Sequence, residues 1–92
     1  MARLTEKQIQ TMLRSTKGWR RSGDTLTKKI RKRDFVRALG YVQEVAFLAE
    51  HANHHPDIDI RWNTVTLVLT THSEGGLTVR DFDLARQISA LR

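Results

Sequence analysis

The stretch that decides the fold is Glu50–Asp81, EHANHHPDIDIRWNTVTLVLTTHSEGGLTVRD. Its apolar period changes at Pro56, which forbids continuation of a helix and biases His55 toward extended backbone. Asn53, three residues earlier, is a suitable helix terminator. Beyond the proline the period is two: Ile58, Ile60 and Trp62 alternate with Asp57, Asp59 and Arg61. Asn63 marks a turn, and then Val65, Leu67 and Leu69 alternate with Thr64, Thr66, Val68 and Thr70, which completes a hairpin. His72 falls on the parity of Thr66, Val68 and Thr70, at the strand end where the chain enters Ser73-Glu74-Gly75-Gly76. Thr78 then caps a last helix reaching about Leu91, with Asp81 at the capping-box position and Leu77 and Phe82 at the staple positions.

Working outward toward the amino terminus, Asp34 caps the longest helix, Phe35 to Ala52. Phe35, Ala38, Leu39, Val42, Val45, Ala46 and Ala49 form its apolar stripe and are assigned to the core. Phe47 and Leu48 fall partly outside that stripe, where they pack on loops or on a second subunit. Before it, Trp19–Ser22 and Thr25–Lys32 read as strands joined by Gly23-Asp24, a pair suited to a tight hairpin turn. Lys28 shares the inward parity of Leu26 and Ile30, which marks an edge or half-exposed strand. Thr5 to Thr16 reads as a short first helix with Thr5 and Gln8 as a capping box, and Gly18 ends it. The order is therefore α-β-β-α-β-β-α, an α+β fold in which residues 1–92 form a single domain.

Composition removes several function classes. With no cysteine, disulfides, thiolate metal sites and cysteine nucleophiles are excluded. The start, Met1 to Lys7, lacks the apolar run of a signal peptide, and no stretch approaches the roughly 20 apolar residues of a membrane span, so the expected location is the cytoplasm, with no membrane partner. The net charge of +6 is uneven, since residues 1–33 carry +9 and residues 34–92 carry −3. A basic amino-terminal third attracts anions, but the sequence shows no accompanying nucleic-acid recognition motif or set of exposed aromatics. Nucleic acid is therefore not the expected partner.

All four histidines, His51, His54, His55 and His72, fall inside the opening stretch. Histidine exchanges protons near neutrality, with an unperturbed pKa of roughly 6.5. A cationic ring at a helix C-terminus gains only about 0.3–1 kcal/mol, which is the purely structural reading of His54 and His55. Metal binding by these imidazoles with Glu50 or Asp81 meets two objections: there is no HExxH spacing, and adjacent His54 and His55 are awkward ligands for one ion. Asp81 also has an ordinary role at the third position of its helix, and that role competes with any service to a histidine.

Glu50, His54-His55-Pro56, Trp62, His72 and Asp81, at their spacings of three, five, nine and eight intervening residues, resemble the signature of the pterin-4a-carbinolamine dehydratase family, known in animals also as a dimerisation cofactor of a homeodomain transcription factor. Gly18-Trp19 and Asp34-Phe35 agree with the same family. The resemblance implies a four-stranded antiparallel sheet with three helices packed on one face. It also implies a hydro-lyase that converts 4a-hydroxytetrahydropterin to quinonoid dihydropterin after an aromatic amino acid hydroxylase has used the cofactor, with neither metal nor organic cofactor. On that reading His54 and His72 are the catalytic acid and base and Asp81 orients His72. His55, Glu50, Pro56 and Trp62 bind the pterin, and the protein is a homodimer or homotetramer. The alternative is a non-catalytic dimerising module or transcriptional cofactor on the same fold.

Overall fold

The computed structural model describes residues 2–91, and its elements follow in the expected order: α1 (Glu6–Leu13), β1 (Arg20–Ser22), β2 (Thr25–Arg31), α2 (Phe35–Ala52), β3 (Asp57–Arg61), β4 (Thr64–Leu69) and α3 (Val79–Ser89). Helix starts are set by local chemistry. Thr5 and Gln8 close a reciprocal capping box on α1, the Asp34 side chain accepts from the Arg37 N–H on α2, and Thr78 with Asp81 closes a second box on α3.

The four strands form one antiparallel sheet in the order β1-β2-β4-β3. The two hairpins therefore meet through β2 and β4, a non-local pairing that periodicity alone does not specify. Alternate residues of the two central strands, Leu26, Val65, Leu67 and Leu69, are buried in one core with Ile9, Ala38, Val45, Phe82 and Ile88 of the helices. All three helices thus cover one face, and the other face is left to Val68 and to Thr, Lys, Arg and Asp side chains.

One sequence expectation is met in one of its two forms and another needs correction. Strand β2 is interior in strand order and not an edge, but β1 is only three residues long and pairs with Thr25–Thr27, so the Lys28–Arg31 half keeps an open side and the strand is half-exposed. The inward Lys28 is tolerated because its ammonium runs out toward Gly18. On α2 the buried stripe is Ala38, Tyr41, Val45 and Ala49, whereas Phe35 and Leu39 are exposed. Leu48 packs against the core, and Phe47 stands 67% exposed.

Candidate active site

The site is built where α2 stops. Asn53 takes a left-handed backbone with φ 49°, and its N–H reaches the carbonyls of Ala49 and Glu50. The His54 N–H also returns to the Ala49 carbonyl, at 3.1 Å. From the first turn of α3, Arg80 Nη2 donates to the Asn53 carbonyl, which ties the two helix ends together. The chain then leaves through Pro56 into β3, and the adjacent imidazoles part company: His54 is buried and His55 is exposed. His55 Nε2 lies 2.6 Å from Glu50 Oε1, a solvent-facing pair that orients the ring and contributes little to stability.

His54 faces Asp81. Its Nε2 is 2.5 Å from Asp81 Oδ1, and the aspartate is fully buried. Asp81 Oδ2 accepts from the Thr71 hydroxyl at 2.8 Å and from the Thr78 N–H at 2.9 Å. Because the single Thr71 proton is committed to Asp81, the 2.9 Å contact between the two threonine hydroxyls runs from Thr78 to Thr71. Thr78 in turn accepts from the Arg80 N–H at 3.2 Å. The hydroxyls are thus aligned in one direction toward the carboxylate, an arrangement that strengthens each bond in a low-dielectric setting. Two donors on Oδ2 mark Asp81 as an acceptor, and an accepting Oδ1 puts the His54 proton on Nε2, which leaves Nδ1 as the ring nitrogen outside the network.

The structure corrects the expected partner of Asp81, which is His54 and not His72. Strand β4 ends at Leu69, a single bridge joins Thr71 to Gly76, and His72 opens a 3-10 turn, His72–Glu74. The strand therefore ends before it reaches His72, although the in–out alternation persists through buried Thr71 to exposed His72. Thr71 turns inward to the aspartate, and His72 is exposed one residue away. The expected competition between capping and histidine support is also resolved: Oδ2 closes the α3 box and Oδ1 meets His54.

Trp62 is not at this place. It occupies the β3–β4 turn with φ 51° and is 69% exposed, at the far end of β3 from the histidines. Five extended residues at about 3.3 Å each put roughly 17 Å between the two ends of that strand. Pro56 is half-buried directly beyond His55, and exposed His51 makes no part of the Asp81 network. Among the described residues no group of three His, Asp or Glu side chains is arranged to hold a metal ion.

Sequence reasoning missed Thr71 and Arg80. Thr71 carried a signal, since it continues the inward parity of Val65, Leu67 and Leu69 past the strand. Arg80 carried none, because its partner is a backbone carbonyl 27 residues away.

A family model described as pterin 4 alpha carbinolamine dehydratase matches residues 2–91. A protein of Nocardia farcinica, provisionally named a pterin-4-alpha-carbinolamine dehydratase, is 53% identical over 96% of this chain and 93% of its own length. A similarly named protein of Roseiflexus is 52% identical over 97% of this chain and 96% of its own. Among solved structures, a transcriptional coactivator/pterin dehydratase from Brucella melitensis superposes with a TM-score of 0.90 at 36% identity, covering 96% of each chain. A pterin dehydratase-like RuBisCO assembly factor of the alpha-carboxysome shares the fold, with a TM-score of 0.68 at 21% identity over 79% of this chain and 87% of its own.

Proposed function

This chain belongs to the pterin 4 alpha carbinolamine dehydratase family, and from that membership we propose that it removes water from 4a-hydroxytetrahydropterin to give quinonoid dihydropterin. The observation that carries the reading is the buried His54–Asp81 contact, with the second aspartate oxygen occupied by Thr71 and Thr78.

In the proposed reaction the C4a–O bond breaks as the hydroxyl takes a proton and leaves as water. A ring nitrogen supplies the electron pair for the new C=N bond and gives up its N–H proton to a base. His54 fits the base on one substrate face, because the imidazolium formed when Nδ1 accepts the proton has a carboxylate against its other nitrogen. Exposed His72, next to Thr71, fits the acid, and the two exchange roles for the opposite face. His55, oriented by Glu50, binds the substrate with Pro56 beside it. A positioned acid or base of this kind contributes roughly 10²–10⁴-fold.

The role links the protein to an aromatic amino acid hydroxylase in the cytoplasm. The exposed α2 residues Val36, Leu39 and Phe47 support a homodimer or homotetramer built through the helical layer. The decisive assay follows the decay of carbinolamine generated by such a hydroxylase. The protein should accelerate that decay, and the His54→Ala/His72→Ala double variant should return it to the uncatalysed rate. Full activity in the double variant, or no acceleration by the native chain, overturns the proposal.

A further inference from the structure

On the face of the sheet opposite the helices, away from the histidines, lies a shallow depression of about 730 Å³ whose lining includes Lys29, Arg31, Arg61, Trp62 and Thr66, with Asp59 as its one acid. The register explains its composition. Arg61, Thr64 and Arg31 form one cross-strand row, and Asp59, Thr66 and Lys29 form the next. A second depression, lined by Trp19, Arg20, Thr27 and Lys29 among others, continues from it, and Lys29 belongs to both. Arg61, Arg31, Lys29 and Arg20 thus make a diagonal track from β3 to β1, roughly 14 Å across at about 4.8 Å per strand. Among the described residues Arg20, Lys29 and Arg31 form no ion pair, and Arg61 meets only Asp59, at 3.2 Å on the exposed surface. The acids of this face, Asp57 and Asp59, are confined to β3.

Against the sequence expectation that nucleic acid is not a partner, and because Trp62 stands exposed beside these cations, we propose that this open sheet face binds short single-stranded nucleic acid, with Arg20, Lys29, Arg31 and Arg61 on the phosphates and the Trp62 indole stacking on a base. Three cations without acidic partners, with Arg61 in a solvent-exposed pair, attract a polyanion, and an exposed indole at the end of the track distinguishes bases from a merely acidic chain. A broad flat strip fits an unpaired strand whose bases can splay, and the helices that might enter a duplex groove are on the other side. The half of β2 that β1 leaves uncovered adds free backbone groups beside Lys29 and Arg31. Interleaved threonines supply hydroxyls for sugar contacts. This inference does not rest on the dehydratase reading, because none of its residues touches the His54–Asp81 network.

Fluorescence anisotropy with a labelled oligouridylate, and with a duplex RNA of matched length, tests it. The full chain should prefer the single strand, and four phosphate contacts should weaken binding roughly fiftyfold between about 50 and 200 mM salt. The Lys29→Glu/Arg31→Glu variant should lose at least about tenfold and flatten the salt slope by roughly 1.4. Trp62→Ala should lose about tenfold with the slope unchanged. Lys7→Glu/Arg37→Glu, which makes the same charge change on the helical side, should bind normally, and melting curves establish that each variant is folded. Four outcomes overturn the proposal: no binding by the native chain, equal affinity for the duplex or for polyglutamate, no effect of Trp62→Ala, or an equal loss in the helix-side control.

Discussion

Asp81 Oδ1 stands 2.5 Å from His54 Nε2, and that contact joins residues 27 positions apart, at the end of α2 and in the first turn of α3. The same carboxylate holds the N-cap of its own helix and the hydroxyl of Thr71, so the integrity of α3 and the tautomer of His54 depend on one side chain.

Replacing Asp81 by Asn puts an amide NH₂ opposite one of the donors. If the amide oxygen stays on Thr71 and Thr78, the NH₂ faces His54 and drives its proton to Nδ1, the wrong nitrogen for accepting one from substrate. Turnover should fall at least about a hundredfold, as for loss of one positioned acid–base group, and stability by about 1–3 kcal/mol. Single-turnover rates together with urea unfolding measure both. A variant with native kcat would remove Asp81 from the mechanism.

Thr71→Val keeps the shape and removes the hydroxyl that links Thr78 to Asp81. A loss of about 1–2 kcal/mol is expected in urea unfolding, with turnover reduced less than by the Asp81 change. An unchanged unfolding midpoint would mean that the network carries no weight in stability.

His55 is exposed and paired with Glu50, a setting for contact with substrate and not for a proton relay through the buried network. His55→Ala should raise KM more than it lowers kcat, and Glu50→Gln should move KM in the same direction by less. Steady-state kinetics in which kcat alone collapsed would instead place His55 in the chemical step.

Tyr41 is buried without a hydrogen-bond partner for its hydroxyl, and burial, with Glu44 nearby, pushes its pKa up to about 12. The folded state therefore holds that proton more tightly than the unfolded chain, where the value is about 10. Stability is constant below about pH 10 on this account and falls as pH rises toward 12. Tyr41→Phe should reduce that alkaline loss and cost little at neutral pH, despite removing a ring hydroxyl near the Lys32 ammonium, which sits 4.6 Å from the ring centroid. Denaturant midpoints across the alkaline range decide it, and identical slopes for the two proteins would contradict it.

Phe47 projects from the helical layer together with Val36 and Leu39. If that stripe joins copies of the chain, Phe47→Glu should shift the species seen by sedimentation toward monomer without unfolding it. An unchanged sedimentation coefficient from an oligomeric native protein would put the interface elsewhere.

Much of the architecture was already present in local patterns. The period switch at Pro56, the capping boxes at Thr5 and Thr78, and the αL terminator Asn53 are each set by residues within a turn of one another, so α2 could be bounded as Phe35 to Ala52 before any coordinates. The family signature likewise lay in the spacing from Glu50 to Asp81. Patterns of this kind are silent about which side chain meets which across the fold. Trp62 read as a continuation of Ile58 and Ile60, but the turn took it out of the strand; His72 read as a strand residue, but β4 ended before it.

The amino-acid order by itself determined the elements, their apolar faces and the set of ionisable groups, because propensity, capping and alternation act between near neighbours. Only the tertiary structure decided that β2 lies beside β4, that Asp81 serves His54, and that Trp62 stands with the cations of the open face. Those outcomes depend on closing long loops and on filling one shared core, and a carboxylate buried in that core takes whichever donors the packing delivers to it.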